Sequence, residues 1–228
     1  MAFMPQDAPL VALLFLGTAL AALLAAAVMA YGAARKQPAV LRWAVIGAVA
    51  LVGGYATLLF GASLASRDQA LRLGEKKYFC EIDCHLAYSV ERVAKLKTLG
   101  APPAGTSAAG TFYVVSLKTW FDESTISPHR PKDATLYPNP RQVYLVDAAG
   151  RRYEPSPAGQ RAIEVMGWTS TPLSRPLIPG ESYITELVFG LPSNIREPRL
   201  YVGDADPVCS FLIGHEESPL HRKIWFRI

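Results

Sequence analysis

Two transmembrane α-helices followed by an all-β antiparallel sandwich is the architecture this sequence predicts. Three observations predict it. Of 228 residues, 50% are hydrophobic and only 18% charged, against about 25% charged in an ordinary soluble domain. The apolar excess is concentrated in two uncharged runs within residues 1–66. From residue 67 onward charges, prolines and aromatics return, and the hydrophobic period becomes two. With 3 Cys, 17 Gly and 18 Pro, a disordered chain, a collagen-like repeat and a disulfide-dense mini-protein are excluded.

The first region, residues 1–66, reads as a helical hairpin in lipid. Leu10–Tyr31 and Trp43–Ser66 carry no charged side chain. As helices these runs are ~33–36 Å long, enough to cross a ~30 Å hydrocarbon core. A cleaved signal peptide would need a basic leader and an apolar run of only ~7–15 residues. Here Asp7 is the only charge ahead of the first run. The connector from Gly32 to Arg42 holds Arg35, Lys36 and Arg42. Cations concentrated in a short loop place it in the cytoplasm, so both termini face outward. Arg67, Arg72, Lys76 and Lys77 after the second run count the other way. Long domains, however, translocate largely regardless of charge.

Small residues recur every four positions on both runs: Thr18, Ala22, Ala26 and Ala30 on the first, Gly53, Thr57, Gly61 and Ala65 on the second. Such stripes let helix backbones approach closely in lipid. The plain expectation is that they face each other across the hairpin. The sharper one is that a stripe packs on another membrane protein. Neither run contains Asp, Glu, Lys, Arg or His, which removes the transporter, proton-relay and channel classes.

Residues 67–228 read as an extracytoplasmic β-domain. Tyr78, Cys80, Ile82, Cys84, Leu86, Tyr88 and Val90 alternate with mostly polar neighbours, the mark of one long half-buried strand. Thr111–Phe121 and Gln142–Val146 follow as strands. Asp147-Ala148-Ala149-Gly150 is a turn into a short strand at Arg152–Glu154. Pro179-Gly180 turns the chain into Ser182–Phe189, and Leu200–Val202, Val208–Ile213 and Lys223–Ile228 complete the set. Gly100–Gly110 reads as a loop, and Ser156–Trp168 as room for one helical turn, with no amphipathic helix of any length. About eight short strands with Pro/Gly-rich connections predict an immunoglobulin-like sandwich, a closed barrel being the alternative.

Three features carry a family resemblance. Gly74-Glu75 leads into the first strand, Pro179-Gly180-Glu181-Ser182 precedes the Tyr183…Phe189 strand, and a closing stretch runs from Ile213-Gly214-His215-Glu216 to Phe226-Arg227. In these, Glu75–Ile228 resembles the telokin-like, immunoglobulin-type extracellular domains of uncharacterised bacterial membrane proteins and lipoproteins. The resemblance implies a fold and an extracytoplasmic location, and no activity.

The string Cys80-Glu81-Ile82-Asp83-Cys84-His85 is the place where chemistry would sit. Copper held by thiolates and imidazole, haem attachment and dithiol exchange are its three functional readings. An oxidase-type copper loop continues with further His and Met ligands, but Ala87, Tyr88 and Ser89 follow here. The string is also one residue longer than the usual haem motif. On one continuous strand Cys80 and Cys84 would stand about 13 Å apart, and a disulfide needs roughly 7 Å or less. Both thiols would face the core while His85 faced away, so the cysteines read as structural. Cys209, alternating with Phe211 and Ile213, would also point inward. A disulfide from Cys209 to Cys80 or Cys84 would then contribute on the order of 3–5 kcal/mol.

Elsewhere the signals are weaker. His215, Glu217 and His221 form a conceivable metal set, read as a solvated loop, and His129 lies between prolines. No G-x-S-x-G elbow, H-E-x-x-H helix or phosphate loop occurs. A net charge of +4 spread over scattered basic residues gives no nucleic-acid footprint. Pro-stiffened aromatic segments at Trp120–Pro128, Tyr137–Pro140 and Trp168–Pro172 read equally as docking loops or as caps on the core.

The sequence therefore predicts a non-catalytic, membrane-anchored accessory protein with no catalytic, cofactor or metal residues. It would sit in the bacterial inner membrane with its β-domain outside. Its partners are the bilayer and other subunits of a membrane complex, respiratory or photosynthetic in kind. The alternative is a copper- or haem-carrying electron-transfer protein using Cys80, Cys84 and His85; a solute-binding sandwich is the third.

Overall fold

In a computed structural model of the chain, residues 8–81, 83–100 and 106–228 are described. They divide into two compact units. One holds the helices together with Asp206–Lys223, and the other holds Asp68–Ala205 and Ile224–Ile228.

The helical unit is built on α1 (Ala8–Ala34) and α2 (Pro38–Ala65). Pro9–Ala34 and Pro38–Ala65 are long and apolar enough to cross a membrane. The connector is shorter than the sequence predicts. Pro38 is accommodated in the first turn of α2, where its missing N–H costs nothing. The chain reverses through Lys36 in the left-handed region (φ 50), closed by Gln37 N–H donating to the Gly32 carbonyl at 2.8 Å. A Cβ on Gly32 would lie 3.2 Å from the Leu41 nitrogen, so a glycine here lets the two helices meet closely.

The contact faces differ from expectation. Phe15, Thr18, Ala22, Ala25 and Met29 of α1, and Ala44, Ala48, Leu51 and Tyr55 of α2, are among the partly covered positions and are spaced by three and four. Gly53, Thr57, Gly61 and Ala65 are all exposed, and a Cβ built on Gly53 or Gly61 meets nothing within 4 Å. The two small-residue stripes therefore do not face each other. Leu51 and Tyr55 are two residues out of step with Gly53 and Thr57. Two residues are about 200° around a helix, which puts the stripe on the far side of α2.

Among the described residues the β-unit contains nine strands: β1 (Gln69–Leu71), β2 (Lys77–Cys80), β3 (His85–Leu99), β4 (Thr106–Asp122), β5 (Arg141–Val146), β6 (Arg152–Tyr153), β7 (Ser182–Leu191), β8 (Arg199–Asp204) and β9 (Ile224–Arg227). They form a four-stranded sheet in the order β2-β3-β4-β7 and a five-stranded sheet in the order β1-β9-β8-β5-β6. All pairings are antiparallel except β1 with β9. Leu86, Tyr88, Leu117 and Phe189 from the first sheet share one core with Leu145, Leu200, Val202 and Phe226 from the second.

A second, smaller core lies against the four-stranded sheet. A nine-residue helix, α3 (Pro157–Val165), corrects the expectation of a single turn. Ser156 caps it by accepting from Gly159 N–H at 3.1 Å, and Ala162 and Ile163 pack with Leu99, Phe112, Val114 and Val188.

Three further expectations are corrected. Tyr78–Val90 is two strands rather than one, split by a turn at Glu81–Cys84. Val208–Ile213 is no strand; Pro207–Phe211 is a 3-10 turn capped by Asp206, whose Oδ1 accepts from Val208 N–H at 2.9 Å. None of Cys80, Cys84 and Cys209 is joined in a disulfide, so the expected staple is not formed.

Candidate functional site

The turn between β2 and β3 reorganises the site that the sequence singled out. Glu81 N–H donates to the Cys84 carbonyl at 2.8 Å, and Cys80 pairs directly with His85. In a hairpin, opposed residues share a face and successive residues alternate. Cys80 and His85 therefore stand on one face, and Cys84 stands on the other with Phe79 and Leu86 in the core. The separation of the two cysteines is thus enforced by the pleat, not by distance along one strand. A ligand set of Cys80, Cys84 and His85 is not assembled.

Each member has its own environment. Cys84 is 1% exposed, and burial pushes its thiol up to about 12. An apolar thiol of that kind is neither nucleophile nor ready metal ligand. His85 is half-buried, and burial lowers its pKa while the Asp122 carboxylate pulls it back up. Its backbone N–H donates to Thr125 Oγ1 at 3.0 Å, and its ring stands edge-on to Tyr78 at 6.5 Å. The Tyr78 hydroxyl donates to Asp122 Oδ2 at 2.8 Å. Burial pushes Tyr78 up to about 12, assisted by that carboxylate. Burial works against the Asp122 carboxylate, but hydrogen bonds from Ser124 and Tyr78 hold it below its ordinary range.

The turn also inverts the phase of β2. Lys77, Phe79 and Glu81 face the core side, where the alternation in the sequence places Tyr78 and Cys80. The consequence is a group of buried charges that the sequence does not announce. The Arg141 side chain, 0% exposed, pairs with Glu81, 2% exposed, and with Asp204. Asn139 N–H donates to Glu81 Oε2 at 3.2 Å. The Arg141 guanidinium lies 4.4 Å from the Phe79 ring centre and 5.6 Å from that of Tyr88. Burial raises the Glu81 pKa against the opposing pull of Arg141. Lys77, 1% exposed, donates from Nζ to the Val202 carbonyl at 2.6 Å and the Ile224 carbonyl at 3.3 Å. Nothing in the spacing of Glu81, Arg141 and Asp204, some sixty residues apart in turn, marks them as partners beforehand.

The turn is clasped from outside as well. Arg130 donates from one nitrogen to both Asp83 oxygens at 2.8 and 3.0 Å and from the other to the Thr135 carbonyl at 3.1 Å. Ser127 N–H donates to the Asp83 carbonyl at 2.8 Å. Paired charges fix the loop before β5 against the hairpin, although Nε of Arg130 and Nε of Arg141 are buried without a hydrogen-bond partner. They form a mechanical clasp, with no nucleophile–base pair in it.

A groove of about 280 Å³ crosses the outer face of the four-stranded sheet, lined by Lys76, Ser89, Glu91, Lys118, Trp120 and Ser182 among others. Lys76 Nζ lies 3.5 Å from the Trp120 ring centre, and no histidine or cysteine among the described residues lines the groove. The other aromatic segments divide: Phe121 is core, Trp168 packs on the smaller core, and Tyr137 is 73% exposed. His215, Glu217 and His221 do not converge. Nδ1 of His215 accepts from Glu217 N–H at 3.1 Å, Glu217 pairs with Lys223, and Nδ1 of His221 bonds the Arg222 carbonyl at 2.7 Å.

No family model matches the chain, and no curated protein does. Three solved structures are similar to it. A conserved hypothetical protein from Bacillus anthracis is 18% identical, with a TM-score of 0.40 over 55% of this chain and 86% of that one. The yjhA protein from Bacillus subtilis is 12% identical, with a TM-score of 0.39 over 69% and 98%. The secreted protein MPT63 from Mycobacterium tuberculosis is 10% identical, with a TM-score of 0.41 over 72% and 100%. These are bacterial proteins, one of them secreted, and at such scores they carry no argument about activity.

Proposed function

We propose that the chain is a non-catalytic, membrane-anchored interaction protein. In this reading α1 and α2 cross the bacterial inner membrane as a hairpin. Arg35, Lys36 and Arg42 keep the connector in the cytoplasm, and the β-unit works outside as an immunoglobulin-like docking module within a larger membrane assembly. One observation carries the reading: many apolar side chains of both helices are exposed, including Leu16 at 61%, Leu23 at 70%, Val49 at 67% and Val52 at 54%. Water-soluble monomers rarely expose apolar patches of that extent, and a bilayer is the solvent that suits them. The partner role is supported by the open stripe of Gly53, Thr57, Gly61 and Ala65, which suits close packing against a foreign helix.

The test is blue-native electrophoresis of membranes solubilised in mild detergent. The chain should migrate in a species well above its own mass, and Gly53→Leu with Gly61→Leu should release it while leaving the β-unit folded. Migration of the wild-type chain as a lone small species overturns the subunit role.

A further inference from the structure

The segment between β8 and β9 does not belong to the β-unit. Asp206–Lys223 groups with the helices, and three contacts fasten it there. The Tyr55 hydroxyl donates to the Phe211 carbonyl at 2.6 Å. The Phe211 ring stacks on Phe15, with centres 6.3 Å apart and planes 18° apart. Arg222 N–H donates to Ser66 Oγ at 2.8 Å. Phe15 and Tyr55 also touch each other at 6.4 Å.

From these contacts we infer that Asp206–Lys223 is a membrane-interface element. It lies at the headgroup level of the bilayer, beside the ends of the helices opposite the connector, and sets how deeply they sit. The inference rests on the reading of α1 and α2 as membrane spans. Three further observations support it.

First, the lengths agree. α2 has 28 residues, ~42 Å, well over a ~30 Å hydrocarbon core. Counting from the connector only as far as the aromatic contacts at Phe15 and Tyr55 leaves 15–34 on α1 and 38–55 on α2, ~30 and ~27 Å, with the Ser66 contact ~16 Å further along α2. Beyond Tyr55 one side of α2 is covered, at Leu59 and Ser63, while Leu58, Phe60 and Leu64 stay exposed. Phe15, Tyr55 and Phe211 then mark one interface. Tyr31, capped by the Arg35 guanidinium at 5.8 Å, and Trp43 mark the other, as aromatic belts do.

Second, part of the segment's backbone is bonded within the segment. Cys209 donates to Asp206, Leu212 to Cys209, His215 to Leu212, Ser218 to His215 and His221 to Ser218, all at 2.9–3.2 Å. Five successive bonds at three-residue intervals suit a boundary where water is scarce and unpaired peptide groups are costly.

Third, the segment is amphipathic and turns apolar side chains outward. Val208, Phe211 and Leu220 are 47%, 55% and 65% exposed, on a stretch that also carries Asp206, Glu216, Glu217, Arg222 and Lys223. Exposed apolar anchors on a stretch whose other side chains are polar or charged suit the boundary between lipid and water.

Spin labels read the depth directly. Single cysteines at Leu220→Cys, Val208→Cys, Val49→Cys and Val165→Cys are placed in the full chain with Cys80→Ser, Cys84→Ala and Cys209→Ala. The proteins are reconstituted in nanodiscs of phosphatidylcholine and phosphatidylglycerol, and collision rates with oxygen and with a water-soluble nickel chelate are compared. Position 49 is the mid-span control and position 165, on α3, the aqueous control. The nickel accessibility at 208 and 220 should fall at least 3-fold below that at 165, with oxygen accessibility intermediate between the controls. Values at both positions equal to those at 165, equal to those at 49, or low for both reagents as in a protein contact, each overturn the interface assignment. An aqueous signature at 49 instead overturns the spanning reading on which it rests.

Discussion

Glu81 and Arg141 are opposite charges taken almost wholly out of water, and what holds them is their number of partners. Arg141 meets two carboxylates and two aromatic rings; Glu81 meets the guanidinium and the Asn139 N–H. Desolvation makes such a pair a poor source of net stability, yet removing one member strands the other. Glu81→Ala should therefore cost about 3 kcal/mol, read as a fall in the urea midpoint of the detergent-solubilised chain. Glu81→Gln keeps an acceptor for Asn139 and should cost distinctly less. An Ala variant as stable as wild type would mean that the clasp holds nothing. This pair was not legible in the sequence because strand phase decides it. From Cys84 to Val90 the even positions do point inward as the alternation predicts. The turn at 81–84 inserts a reversal that sends Lys77, Phe79 and Glu81 inward on β2, since a change of phase moves every side chain to the other face. Without Gly or Pro in the turn, no residue announces it.

Elements were legible in proportion to their local signals. The β5–β6 hairpin was readable because Asp147 and Gly150 are turn residues with a mechanism. Gly150 takes φ 80, and Asp147 Oδ1 accepts from the N–H groups of Ala149 and Arg151. Its Oδ2 accepts from the Arg151 guanidinium and the Tyr153 hydroxyl. Burial opposes these bonds, but together they hold Asp147 down to about 2. A carboxyl whose folded pKa is depressed adds stability above its unfolded pKa of about 4, and loses it as pH falls toward 2. The gap in thermal midpoint between wild type and Asp147→Asn should be full above pH 5 and close by pH 2; a gap independent of pH would refute the linkage. α3 was the harder element, although Ser156-Pro157 is a helix-start signal. Nine residues and a glycine near its start gave it weak propensity, so packing decides. A Cβ on Gly159 would lie 2.5 Å from Val188 Cγ1. Gly159→Ala should cost roughly 1–3 kcal/mol despite the better helix propensity of alanine. A stabilised variant in the same urea titration would show that α3 does not press on β7. The misread strand at Val208–Ile213 failed for a related reason: Asp206-Pro207 starts a 3-10 turn, and alternation over six residues cannot outvote it.

At the scale of the whole molecule, the change at residue 66–67 from two uncharged apolar helices to a charged, β-rich region was plain in the composition, whereas the grouping of Asp206–Lys223 with the helices was not. What remained hidden was how the second region holds together. Three cysteines in a domain read as extracytoplasmic suggested a staple, yet the β-unit does without one. About 160 residues are enough to bury a core unaided. Tyr88, Phe121, Phe189 and Phe226, among the largest fully buried side chains, each contribute on the order of 1.5–3 kcal/mol. Cys84 is spent as a small apolar filler in that core, and Cys209 sits in the segment that groups with the helices, not in a strand. A disulfide between them would add roughly 3–5 kcal/mol, or about 6–20 °C in the thermal midpoint of a chain this long. The midpoint of the detergent-solubilised protein should accordingly be the same with and without reductant. Alkylation after unfolding in the absence of reductant should add three adducts per chain. A single adduct, together with a midpoint that drops when reductant is added, would restore the staple, with Cys80 or Cys84 as the partner of Cys209.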